Sequence, residues 1–250
     1  MTGTVNENRG LRGPASVGLW LLPAYGILLA LSTITHQPSV ETDFTGYARY
    51  VTTDQFLISH LVASIGGAAL ATLGVMSAVV FLAAGRARRL ALTGGVVTVV
   101  ANVYLAATFG AASFVQPGIG RAFLRGMPGA QELNADTAYG PALVVTIAAS
   151  LVTLLVGTIL LGTAIARTAP ALRWVGIGYA VSLVVFSFSG VLGFGAGTQP
   201  AAGLLLAAST VVLARRLPGV WPSEDASDGR GGSRSTVPSP RAPRSEVHPS

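Results

Sequence analysis

From Arg12 to Arg215 the chain contains five long stretches free of Asp, Glu, Lys and Arg. They are bounded by Arg12 and Glu41, Asp54 and Arg86, Arg89 and Arg121, Asp136 and Arg167, and Arg173 and Arg215. Each of the first four holds one helix of about 20 residues, the length that spans a hydrocarbon core roughly 30 Å thick. The fifth, from Trp174 to Ala214, would reach about 60 Å as one helix at roughly 1.5 Å per residue, so it must fold back. The reversal is expected at Gly193-Phe-Gly-Ala-Gly-Thr-Gln-Pro200, where glycine supplies turn conformations and Pro200 suits the first turn of the next helix. The pattern therefore predicts an all-α integral membrane protein, a six-helix transmembrane bundle.

The expected spans are Val17 to Thr35, Gln55 to Ala84, Leu90 to Phe114, Pro141 to Ala166, Leu172 to Leu192 and Pro200 to Ala214. Arginine gathers in alternate gaps: Arg9 and Arg12, then Arg86, Arg88 and Arg89, then Arg167 and Arg173, then Arg215 and Arg216. The other gaps carry Arg49, Arg121 and Arg125 against Glu41, Asp43, Asp54, Glu132 and Asp136. Cytoplasmic loops retain positive charge, so both termini are expected in the cytoplasm and the protein in the cell membrane. Trp20, Trp174 and Trp221 fall near the same interface and suit an aromatic belt.

The chain divides into a cytoplasmic N-terminal segment over 1–16, a six-span domain over 17–216 and a tail over 217–250. Arg9 and Arg12 before an apolar stretch resemble a secretory signal, but the stretch is too long and lacks a small-x-small cleavage site. It is expected to stay as an uncleaved first helix. The tail is rich in Pro, Ser, Gly and Arg and is expected to be disordered, since it cannot bury enough apolar surface to offset its ordering entropy.

Only 10% of the residues are charged and 51% are hydrophobic, which argues against a soluble globular domain. The formal charge of +6 is spread over short loops rather than gathered on one face, so nucleic acid is not an expected partner. The absence of cysteine excludes disulfides, thiolate metal sites, iron–sulfur clusters and a cysteine nucleophile.

Two loops on the acidic side are long. In the first, Phe44, Tyr47, Ala48 and Val51 recur at helical spacing, as in a short amphipathic helix lying on the membrane. Thr52 and Gln55 have the spacing of a capping box for the second span. In the second, Ile119, Ala122 and Phe123 are expected to lie on the surface with Arg121 and Arg125 toward head groups, before Gly126-Met-Pro-Gly129 breaks the helix. Both segments are read as interfacial caps over the bundle.

Within the spans, Ala63, Gly67 and Ala71, the pair Gly66 and Gly74, and Gly157, Gly176 and Gly178 are small residues suited to close helix packing. No Asp, Glu, Arg or Lys is expected deep in any span, which weighs against ion-coupled transport or voltage sensing. Asn102, followed by Tyr104 and Thr108, is the most polar deep position. It reads either as a helix-packing hydrogen bond or as a solute site.

One constellation suits a metal. His36 ends the first span, His60 lies in the second, and Asp54 precedes His60 on the same side. Imidazole with carboxylate suits zinc or another divalent ion, although the spacing matches no established ligand motif. Interfacial hydrogen bonding is the plainer reading of both histidines, and no cofactor is expected. There is no Walker loop, His-Glu-x-x-His or Gly-x-Ser-x-Gly, and no inverted repeat. The leading expectation is a non-catalytic bundle that binds membrane lipid, a membrane-protein partner or a second copy of itself. An uncoupled solute transporter and a metal-dependent enzyme or sensor are the alternatives.

Overall fold

The computed structural model describes residues 4–34, 37–192, 194 and 197–220. Among the described residues the chain is helical with no strand, and six helical segments are long and apolar enough to cross a membrane. Helices α1 (Thr4–Gly18) and α2 (Leu21–Ser32) make the first; α4 (Asp54–Ile58), a π-helical segment (Ser59–Gly66) and α5 (Gly67–Leu82) make the second. α6 (Arg88–Leu124), α8 (Pro141–Thr168), α9 (Arg173–Leu192) and α10 (Thr198–Arg216) follow, with α3 (Phe44–Val51) and α7 (Ala130–Asp136) in the two long loops. The chain folds back between Leu192 and Thr198, since α9 and α10 pack on each other, and Pro200 lies in the first turn of α10; residues 193, 195 and 196 of the expected reversal lie outside the described residues.

The spans pack in chain order, α2 on α5, α5 on α6, α6 on α8, α8 on α9 and α9 on α10, and α10 closes the ring on α2. Short connections between consecutive helices favour such antiparallel neighbours. Ring closure uses two small residues. A Cβ on Gly26 would stand 2.6 Å from the Ala207 amide nitrogen, and one on Gly203 would stand 2.6 Å from that of Ala30. Backbone therefore meets backbone across this seam, the close approach that small-x-x-x-small spacing permits.

The first span is broken where sequence periodicity gives no warning. Pro23 has no N–H to bond the Leu19 carbonyl and its ring would crowd that group, so α1 stops at Gly18 and Leu19–Trp20 form a turn. The helix also begins at Thr4, well before Val17. Trp20 and Trp174 are both exposed; Trp221 and the tail over 221–250 lie outside the described residues.

The second acidic-side segment does not lie down. α6 runs unbroken through Pro117 to Leu124, and its 37 residues reach about 55 Å, well beyond a hydrocarbon core of roughly 30 Å. Its apolar stripe meets protein: Ile119 is buried, Gly120 lies against Ala48 and Val51, and the Phe123 ring packs edge-on to Phe44 at 4.8 Å. The glycine break expected after it is present, with Gly126 and Gly129 at φ of 79° and 78°.

The first segment is helical as its spacing predicts, but Phe44, Tyr47, Ala48 and Val51 are buried against α6. Phe44, Tyr47 and Val51 form, with Phe56, a second small core apart from the main one. The cap of the second span is Thr53 rather than Thr52: its Oγ1 accepts from the Phe56 amide at 3.2 Å. Thr52 turns back, donating to Arg49 O at 2.8 Å, and ends α3.

Candidate functional site

Closing the ring leaves a cavity of about 380 Å3 at its centre, and every span contributes to the wall. Tyr25, Leu29 and Leu183 belong at once to the cavity wall and to the main core, so the floor is apolar and continuous with the packed arginine end. Leu105 from α6 and Leu154 from α8 extend that apolar surface. Toward the acidic end the lining turns polar, with Gln37, Ser59, His60, Ser64, Ser150, Ser187 and Gln199. Among the described residues no Asp, Glu, Lys or Arg lines it.

Ser150 is fully buried in this wall and its Oγ has no hydrogen-bond partner. Leaving a buried hydroxyl unpaired costs about 1–3 kcal/mol. Gln199 is partly committed, its Nε2 donating to Phe186 O at 3.3 Å.

His60 sits in the π-helical segment. Its Nδ1 is 2.9 Å from Phe56 O, and a carbonyl only accepts, so Nδ1 carries hydrogen and the neutral ring keeps Nε2 as an acceptor. The ring is held between Phe56, at 4.0 Å, and Phe109, edge-on at 6.0 Å. π-helical turns recur at functional sites because they redirect side chains out of the regular i, i+4 rows.

A cap stands over the polar end. Asp43 starts α3 by accepting from the Gly46 amide at 2.8 Å. Tyr50 of α3 lines the cavity and packs edge-on to Phe56 at 5.6 Å. The Tyr47 hydroxyl donates to Asn134 Oδ1 of α7 at 3.2 Å, and the Gln37 amide donates to the Tyr139 hydroxyl at 3.2 Å. Burial, reinforced by the neighbouring Tyr139, pushes the Tyr47 hydroxyl pKa well above its ordinary value.

The sequence-chosen residues fall in different places. Asn102 is buried and donates its amide to Thr72 Oγ1 at 3.3 Å, bridging α6 to α5, while its Oδ1 has no partner. It does not line the cavity. Tyr104 is exposed on the outer face of the ring, whereas Thr108 lines the cavity and donates to Tyr104 O at 3.0 Å. Asp54 is exposed at the start of α4, His60 lines the cavity, and His36 lies outside the described residues. Among the described residues no three His, Asp or Glu side chains gather as metal ligands.

Sequence reasoning missed Ser150, Ser187 and Gln199. Their signal is weak but present: Ile147, Ser150, Leu151 and Leu154, like Leu183, Phe186, Ser187 and Gly190, recur at spacings of three and four and so share one helical face. Two such faces, each mainly apolar with one serine, buried at Ser150 and half-buried at Ser187, line the cavity.

The fold and cavity define a class, an all-helical six-span bundle enclosing a partly polar central site, and six such apolar helices point to a multi-pass membrane protein. No protein family, curated protein or solved structure matches the chain.

Proposed function

We propose that this chain is an integral protein of the cell membrane, a non-catalytic bundle that holds one neutral, amphiphilic, lipid-like molecule in its central cavity. The cavity carries this reading. Its volume of about 380 Å3 falls near the lower end of small-molecule sites, roughly 300–1,000 Å3. An apolar floor with hydrogen-bonding groups toward one end suits a hydrocarbon body with a polar head. The absence of Asp, Glu, Lys and Arg from the lining among the described residues favours an uncharged head. The arginine-rich loops face the cytoplasm together with both termini, as retention of positive charge on that side supports. The cap of α3 and α7 then stands outside.

Native mass spectrometry of gently extracted protein tests the reading. The wild type should retain one small neutral adduct per chain. Leu154→Trp, which adds a ring to the cavity wall, should eject it while cooperative thermal unfolding persists. A bare wild-type chain, or an adduct that L154W leaves in place, would remove the reading.

A further inference from the structure

The arginine end carries a second concavity, of about 540 Å3, remote from the polar lining of the first. Arg86 enters it from the loop between α5 and α6, Arg167 from the last turn of α8 and Arg173 from the start of α9. Phe81, Leu217 and Val220 make its wall apolar, and among the described residues no Asp or Glu lines it. One wall is pinned in place: the Arg12 guanidinium donates to the Pro218 carbonyl at 2.9 Å, holding the turn Leu217–Val220 against the N-terminal helix.

Orientation by positive charge requires only that arginine lie in the loops on one side. Arg88, Arg89, Arg215 and Arg216 meet that requirement without lining the concavity. Three arginine residues from two loops around one concavity go further, because like charges near one another repel and an anion between them removes the repulsion. Guanidinium presents a planar fork of donors that matches phosphate oxygens. The neighbouring Trp174 is 75% exposed, and the Arg173 guanidinium lies 5.9 Å from its ring. An exposed indole beside a buried apolar wall marks the membrane boundary, where a lipid phosphate resides.

We propose that Arg86, Arg167 and Arg173 form a binding site for the phosphate of an anionic phospholipid, independent of the neutral molecule in the central cavity. Basic concavities between helix ends are suited to such head groups.

The test uses the full-length protein, delipidated in mild detergent and titrated with phosphatidylglycerol or phosphatidylcholine under native mass spectrometry. Phosphatidylglycerol should bind at one per chain and in preference to phosphatidylcholine. The variant R86Q/R167Q/R173Q should weaken it on the order of tenfold at low salt. The charge-matched variant R88Q/R89Q/R216Q, outside the concavity, should weaken it far less; equal weakening would overturn the site in favour of a diffuse positive surface. Equal binding of the two lipids would overturn the phosphate-specific reading. Displacement by inorganic phosphate at matched concentration would retain an anion site and overturn the lipid as its occupant. Finally, E224Q/D225N/D228N should leave lipid binding unchanged. A rise in binding would make the tail's own carboxylates the occupant and overturn the proposal. Because L154W probes the other cavity, failure of either site can be told from failure of the other.

Discussion

The two ends of the ring are built from the same helices and solve packing in opposite ways. At the arginine end Leu19, Leu82, Leu161, Ile165, Leu172 and Leu217 are fully or almost fully buried in one continuous core. At the other end the inward positions of the same helices include Ser59, Ser64, Ser150 and Ser187 beside larger apolar residues, and the space between them is left open. Branched aliphatic side chains fill the gap between helices and serines do not. A molecule that can close one end of its ring can close the other, so the void reflects residue choice and not a limit of the architecture.

Paired truncations give the sharpest test of this contrast. Leu161→Ala removes a fully buried side chain from the filled end and should destabilise by about 3 kcal/mol, because the surroundings cannot collapse into the space. Leu154→Ala enlarges a space that already exists, and its expected loss is about 2 kcal/mol, nearer the transfer contribution alone. Thermal unfolding in the same detergent measures both. Equal losses would mean that the two ends are equally packed and would break the comparison.

Ser150→Ala should move the other way. The hydroxyl is buried without a partner, so its removal from the ligand-free protein should stabilise by about 1 kcal/mol. If S150A destabilises the ligand-free protein, the hydroxyl already has a partner and the polar wall is satisfied from within.

How much of this was legible in the sequence depends on how local each feature is. Spans and the fold-back between α9 and α10 follow from charge-free length and glycine, which are properties of single segments. The stripe Phe44, Tyr47, Ala48 and Val51 announced a helix, but not whether lipid or protein would cover it, since α6 had to extend past the hydrocarbon core to do so. The break at Leu19–Trp20 was readable from Pro23, had the missing N–H been weighed against the apolar run. The cavity was least legible. Which face of α8 or α9 points inward is fixed by ring closure between Gly26 and Gly203, far apart in the chain. Asn102 stood out by polarity alone and spends its amide on a neighbouring helix, while the plainer Ser150 faces the void.

The smallest expected effect concerns the cap, whose second core distinguishes the hollow end from the filled one. Tyr47 is fully buried there, and its hydroxyl bonds Asn134, whose Nδ2 has no partner. Tyr47→Phe should therefore cost about 1 kcal/mol, the net worth of one buried hydrogen bond. The same residue gives the cap a signature in alkali. Its pKa is raised in the folded protein by burial, so between the unfolded tyrosine value of about 10 and the folded one, the unfolded chain binds fewer protons. Stability then falls as pH rises through this window, and it is unaffected below it. Comparing wild type with Y47F at pH 8 and pH 11 isolates the contribution: the variant should be the less stable at pH 8 and should lose less on going to pH 11. Parallel losses would mean that Tyr47 reaches water, and that the cap opens far more readily than the filled end beneath it.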